Sequence, residues 1–207
     1  MRHPTRRIAA AMIVASAALF ALVSVAAATT VVKLSLQDMA SVSEQIVVGH
    51  VRDVTPHKVK GRIVTRVTID VDERLKGSDD SAQVTVQVLG GRLGDQIAIV
   101  HGTAQFEPGE HVLVFLERTK ADRPLVVAGM SQGKFSVAKG PDGATLYVVP
   151  RVGDVRLVER IKNVDEGELR ERIRPTQKDD FFNQVHSLDE IRETVRAHVV
   201  EDDEAAQ

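Results

Sequence analysis

Arg62-Ile63-Val64-Thr65-Arg66-Val67-Thr68-Ile69-Asp70-Val71-Asp72-Glu73 is the most regular stretch of the chain. Ile63, Thr65, Val67, Ile69 and Val71 take one set of alternate positions; Arg62, Val64, Arg66, Thr68, Asp70 and Asp72 take the other. Successive Cβ atoms leave a pleated strand on opposite sides. A period of two therefore marks a strand with one face on a core and most of the other in water. Leu75-Lys76-Gly77 reads as the turn that ends it. Val84, Val86 and Val88 repeat the alternation against Gln83, Thr85 and Gln87.

The neighbouring segments extend the pattern. Residues 45–54 read as a first strand, with Gly49 marking a bulge or a close backbone approach. Gly90-Gly91-Arg92-Leu93-Gly94 is a glycine-rich loop before a strand at 96–101. Glu107-Pro108-Gly109-Glu110 is a Pro-Gly turn before a strand at 111–117, apolar from Val112 to Leu116 and so expected to be the most buried. Short strands follow at 125–128, 134–138 and 146–149, the last after the turn Pro141-Asp142-Gly143. Ser35 and Asp38 form a capping box opening a helix with Leu36, Met39 and Ala40 on one face. Ser187 and Glu190 open a second helix bearing Leu188, Ile191, Val195 and Val199.

Many short strands, Gly and Pro turns and few helices predict a mainly β chain. The expected form is a closed or partly closed OB-like β-barrel with a short N-terminal helix and a peripheral C-terminal helix; a β-sandwich is the alternative. Val67, Ile69, Val86, Leu113 and Phe115 are the expected core.

The first 28 residues are read apart from the fold. Arg2, His3, Arg6 and Arg7 precede an uncharged run from Ile8 to Val25, and Ala26-Ala27-Ala28 offers a small-x-small cleavage site. That is the layout of a secretory signal peptide, so the chain is expected to be exported to the periplasm or beyond. It would touch a membrane only through this segment, if uncleaved. Cleavage leaves 24 Lys+Arg against 29 Asp+Glu. The expected organisation is a signal at 1–28, a barrel at 29–150, a charged linker at 151–186, a helix at 187–200 and an acidic disordered tail at 201–207. Removing everything after Pro150 is expected to leave a folded barrel of modestly lower stability.

Several chemistries are disfavoured. The chain has no Cys, hence no disulfide, thiol nucleophile or thiolate metal site. Gly129-Met130-Ser131-Gln132-Gly133 matches the G-x-S-x-G of serine hydrolases, with Asp142 or Asp154 and His186 as partners in order. However, a strand follows Gly133 where that motif needs a helix. Gly90 to Gly94 lacks the spacing of a dinucleotide fingerprint. His101 and His111 flank a turn and could face each other, which is short of the three or four ligands a metal site needs. Asp70, Asp72 and Glu73 read as a solvated face. No catalytic residue, metal or cofactor is expected.

Ile46-Val47-Val48-Gly49-His50-Val51, residues 65–71, Leu75-Lys76-Gly77, residues 106–116 and Gln132-Gly133-Lys134-Phe135 together resemble an uncharacterised class of exported bacterial domains. More weakly, the strand order and the Leu75-Lys76-Gly77 turn resemble the netrin-like OB-fold of tissue inhibitors of metalloproteinases. That second resemblance implies a barrel with binding loops. It does not carry over the inhibitors' N-terminal Cys, which this chain lacks.

The expected function is an exported, non-enzymatic binding or protein-interaction module whose partner is another exported or envelope protein. Candidate contact residues are Gly90, Gly91, Arg92 and Gly94 in one loop and His57 and Lys58 in a second loop at 54–61. The alternatives are a Ser131 hydrolase and an OB-fold oligonucleotide binder. The second needs a basic field and stacking aromatics, whereas the mature charge is negative and Phe106, Phe115 and Phe135 are assigned to the core; no nucleic-acid partner is expected.

Overall fold

A computed structural model describes residues 30–151, 156–158 and 185–205. The segment expected to be a signal, 1–28, most of the segment expected to be a charged linker, Asp154 and the adjacent Phe181 and Phe182 lie outside the described residues. In chain order the elements are β1 (Thr30–Val32), α1 (Leu36–Val42), β2 (Gln45–Val59), β3 (Arg62–Lys76), β4 (Gln83–Leu89), β5 (Gly91–Leu93), β6 (Gln96–Ala98), β7 (His111–Glu117), β8 (Val126–Val127), β9 (Lys134–Lys139), β10 (Leu146–Pro150), β11 (Arg156–Val158), β12 (His186–Ser187) and α2 (Leu188–Ala205).

The fold is mainly β, built on one eight-stranded sheet in the order β12-β10-β9-β7-β2-β3-β4, with β8 on β7. All its ladders are antiparallel. The sheet is open. Among the described residues no ladder joins its two ends, so the expected closed barrel is not what the strands form. One isolated parallel bridge, Val86 with Leu125, brings the segment before β8 to β4, and the Gln87 N–H donates to the Leu125 carbonyl at 2.8 Å. Pro124 precedes Leu125 and has no N–H to lengthen that contact.

Two cores lie on opposite faces of the sheet. One joins Ile46 and Val48 of β2, Leu113 and Phe115 of β7, and Phe135 of β9 to both helices. The other gathers Val47, Val51, Val67, Ile69, Val86, Val112, Val114 and Leu116. This explains the unbroken apolar run of β7. It sits between β2 and β9, and its alternate residues enter different cores, so residues 112 to 116 are all fully buried. Val67, Ile69, Val86, Leu113 and Phe115 are buried as the alternation requires.

Both helix starts follow their sequence signals. Asp38 N–H donates to Ser35 Oγ and Ser35 N–H to Asp38 Oδ2. Glu190 N–H donates to Ser187 Oγ at 3.1 Å. The second helix is more central than expected. Leu188, Ile191 and Val195 are fully buried in the same core as Phe115, and Arg192 grips Glu73 of β3. It also runs on to Ala205, through the acids expected to be disordered. Glu and Ala are strong helix formers, and that preference outweighs an acidic C-terminal turn opposed by the helix dipole. Nor is 151–186 merely a linker. It contributes β11, which pairs in parallel with β1, and residue 186 starts β12, which pairs with β10. Strands this short, paired far along the chain, leave no periodic trace in a charged segment.

Candidate functional site

Strand β2 outruns its neighbour. β7 pairs with β2 only over residues 45–50, while β2 and β3 stay paired out to Val59 and Arg62. The expected loop at 54–61 is therefore strand, reversed by Lys60-Gly61. Both turn residues have positive φ, the geometry of a two-residue hairpin turn that matches strand twist. Pro56 falls inside this strand. It lies beyond the reach of β7, where a missing N–H interrupts no ladder on that side.

The small hairpin of β5 and β6 folds against the base of this arm. Thr65 Oγ1 donates to the Gly90 carbonyl at 2.8 Å, and Gly90 N–H donates to the Ile63 carbonyl at 3.1 Å. Gly91 has a φ of 128°, and a Cβ there would collide with Thr65 Oγ1 and press on Pro56. Lys58 Nζ donates to Gln96 Oε1 at 3.3 Å. The two loops expected as separate surfaces are thus one surface.

Its apolar part was missed in the sequence. Leu89, Ile97 and Ile99 are 48%, 55% and 77% exposed. With Ala98 and Val100, and with His101, Thr103 and Gln105 of the loop after β6, they line a shallow groove of about 550 Å³ beside the end of β4. A second groove on the other side of Ile97 is walled by Ile63 and Arg62. Arg62 lines the second groove, and Lys58, Lys60 and Arg92 are exposed on the two hairpins beside it, with the exposed Asp95 in the turn between β5 and β6. Of the expected contact residues, Arg92, Gly94 and Lys58 are exposed. Gly90 is buried and Gly91 half-buried, and both serve the packing of the loop; His57 is half-buried with Nδ1 3.4 Å from the Thr55 carbonyl. The run Ile97-Ala98-Ile99-Val100 was the available signal. Read as a strand, it implied buried alternate residues; only Gln96–Ala98 is strand, and it pairs with three residues of β5 alone.

The hydrolase motif has a structural use. Ser131 is only 2% exposed, out of reach of a substrate carbonyl in this conformation. The positive φ falls on Met130, before the serine. Gln132 is buried beside it and ties down the N-terminal lead: Leu34 N–H donates to Oε1 at 2.9 Å, and Nε2 donates to the Val32 carbonyl at 2.9 Å. Asp142 holds its own hairpin turn through Thr145 and Ala144, contacts that keep its carboxyl below the ordinary range. His186 faces Glu190 one helical turn on. Phe106, Phe115 and Phe135 are all buried, so none offers a stacking face to a base.

His111 meets His50 rather than His101. The two are directly paired between β7 and β2, and their rings stack 4.2 Å apart at 10°. Asp72 of β3 joins them, its Oδ2 2.8 Å from His50 Nδ1 and 3.7 Å from His111 Nε2. Burial, then the nearby His50, lowers the pKa of His111, against the pull of Asp72. No family model matches the chain, and no curated protein matches it.

Proposed function

We propose that the protein is an exported, non-enzymatic protein-interaction module. The carrying observation is the apolar shelf of Leu89, Ile97 and Ile99, flanked by Lys58, Lys60, Arg62 and Arg92, on a chain of net negative charge. Scattered exposed aliphatics need no explanation, but three large ones around one groove do. Apolar anchors inside a charged rim form the usual anatomy of a contact surface. The rim's sign selects a partner, an exported or envelope protein that presents apolar side chains flanked by acids. The burial of Ser131 weighs against the hydrolase reading.

A partly closed, OB-like barrel is the architecture that best accommodates the second core. The ring β2-β3-β4, then Leu125 and β8, then β7 back to β2 would enclose Val67, Ile69, Val86 and Leu116, and the Val86 to Leu125 bridge supports that closure. The shelf would then sit at the open end of the ring.

Capture from the envelope fraction with the full-length gene product tests this reading. Wild-type protein should retain a specific protein, and Ile97→Asp/Ile99→Asp should weaken that retention about tenfold or more. Because both side chains are exposed, the melting temperature should stay unchanged. Equal retention by the variant would remove the shelf from the interface, and binding to anionic vesicles alone would point to lipid instead. Intact mass of the envelope material checks export: the dominant species should lack residues 1–28.

A further inference from the structure

We propose that His50, Asp72 and His111 form a binding site for a divalent transition-metal ion of the zinc or copper type. The site lies at the rim of the helix-side core, away from the shelf, and does not depend on the interaction reading.

Strand register brings the three together. His50 and His111 occupy opposed positions on β2 and β7. Asp72 arrives through a bulge: Val48 pairs with Glu73 and Gly49 with Val71, so Asp72 is the extra residue of β3. A bulge re-aims a side chain, and bulges gather next to functional sites for that reason. Gly49 permits it. A Cβ at that position would meet the Asp70 carbonyl, so only glycine lets β2 approach β3 this closely one residue before His50.

The neighbouring acids are engaged elsewhere. Asp70 accepts from Arg52 and Gln83, Glu73 from Arg192, and Glu110 from Lys134 and Ser136. Asp72 is the carboxylate directed at the two rings. His111 Nε2 is shut off from solvent yet has no hydrogen-bond partner, its carboxylate neighbour lying 3.7 Å away. A metal ion would supply the missing contact.

The dimensions suit such an ion. The three ligand atoms lie within 4.8 Å of one another. Metal–ligand bonds of about 2.0–2.2 Å in tetrahedral geometry put ligand atoms roughly 3.3 Å apart. The observed 2.8 and 3.7 Å bracket that separation. Two imidazoles and one carboxylate are the donors zinc and copper accept, whereas calcium and magnesium demand more oxygen ligands. Stacked rings must splay for both nitrogens to aim at one ion; His50 is 51% exposed and has room to turn. The same exposure leaves a fourth position open to solvent.

Calorimetric titration of the full chain with zinc, copper and calcium ions tests the site. Zinc or copper should bind one per chain, raise the melting temperature, and move the imidazole resonances of His50 and His111; calcium should do none of these. His50→Ala and Asp72→Asn alter half-exposed side chains, so the fold should survive, and each should weaken binding by at least about 10- to 100-fold, the loss that removing even an outer-shell partner of a ligand causes. His101→Ala, in the exposed loop after β6, should bind like wild type. No saturable zinc or copper binding, or binding that survives both site variants, would overturn the proposal. So would resonance changes confined to other histidines.

Discussion

A chain ending at Pro150 is expected to lose its cooperative thermal transition, not merely melt somewhat earlier. The sequence had suggested a modest loss, on the view that the last helix lies at the periphery. The packing argues otherwise. Leu188, Ile191 and Val195 are fully buried against Phe115, Phe135 and the first helix. Burying such side chains contributes about 1.5–3 kcal/mol each, so their removal costs roughly 5–9 kcal/mol. A domain's whole stability is about 5–15 kcal/mol. The truncation also uncovers one face of the sheet and removes β12 from its edge. The contact of Arg192 with Glu73, partly exposed, adds little to this total. Far-UV circular dichroism should show a broad, shallow melt, and a hydrophobic dye should bind the exposed face. A sharp transition within a few degrees of the full chain would mean that the helix is not a core element.

What was legible in the sequence was local. The alternation at Val67 and Ile69 gave β3 its inward face, and the unbroken run at Val112 to Leu116 marked the central strand. Both rest on periods of one or two residues, which a strand imposes on its own sequence. The exceptions show where a second element intervenes. Val64 belonged to the water-facing set yet is buried. Thr65 beside it is buried too, with its hydroxyl bonded to the Gly90 carbonyl. Two adjacent buried residues cannot be read from alternation, because they report covers on both faces. The histidine cluster was illegible for a related reason. His50 and His111 are sixty-one positions apart in the numbering, and they meet only through the β2 to β7 register. Asp72 joins them only because a bulge shifts it by one residue, and alternation had assigned it to solvent. The shelf was less legible: the exposed Arg92, Gly94 and Lys58 were read as residues of two separate loops, and the strand pattern consigned Ile97 and Ile99 to a ladder too short to cover them. The open sheet has the same origin. Turn and strand signals count strands well, while closure depends on which distant edges bond, and among the described residues β4 meets the segment before β8 through one isolated bridge and no ladder.

Phe115→Ala should cost about 3–5 kcal/mol, the range for emptying a fully buried aromatic site. For a domain of this size that corresponds to a fall of roughly 10 °C in melting temperature. The phenyl ring is wholly buried and meets Phe135 edge-on, with centroids 5.8 Å apart and planes at 68°. It sits in β7 with both backbone groups hydrogen-bonded toward the turn between β8 and β9: its N–H donates to the Gly133 carbonyl, and its carbonyl accepts from Ala128 N–H. That backbone is pinned and cannot move inward to fill the space, so the cost should fall toward the upper end. Leu116→Ala is the matched comparison, since its side chain enters the opposite core from the same strand. It should cost about 2–5 kcal/mol. Because β7 is common to both cores, each variant should still melt in one step, with fluorescence and circular dichroism transitions coinciding. Chemical denaturation gives the free energies directly. A loss below about 1 kcal/mol for Phe115→Ala would place β7 outside the core. Two separated transitions in either variant would instead mean that the two faces of the sheet fold as independent units.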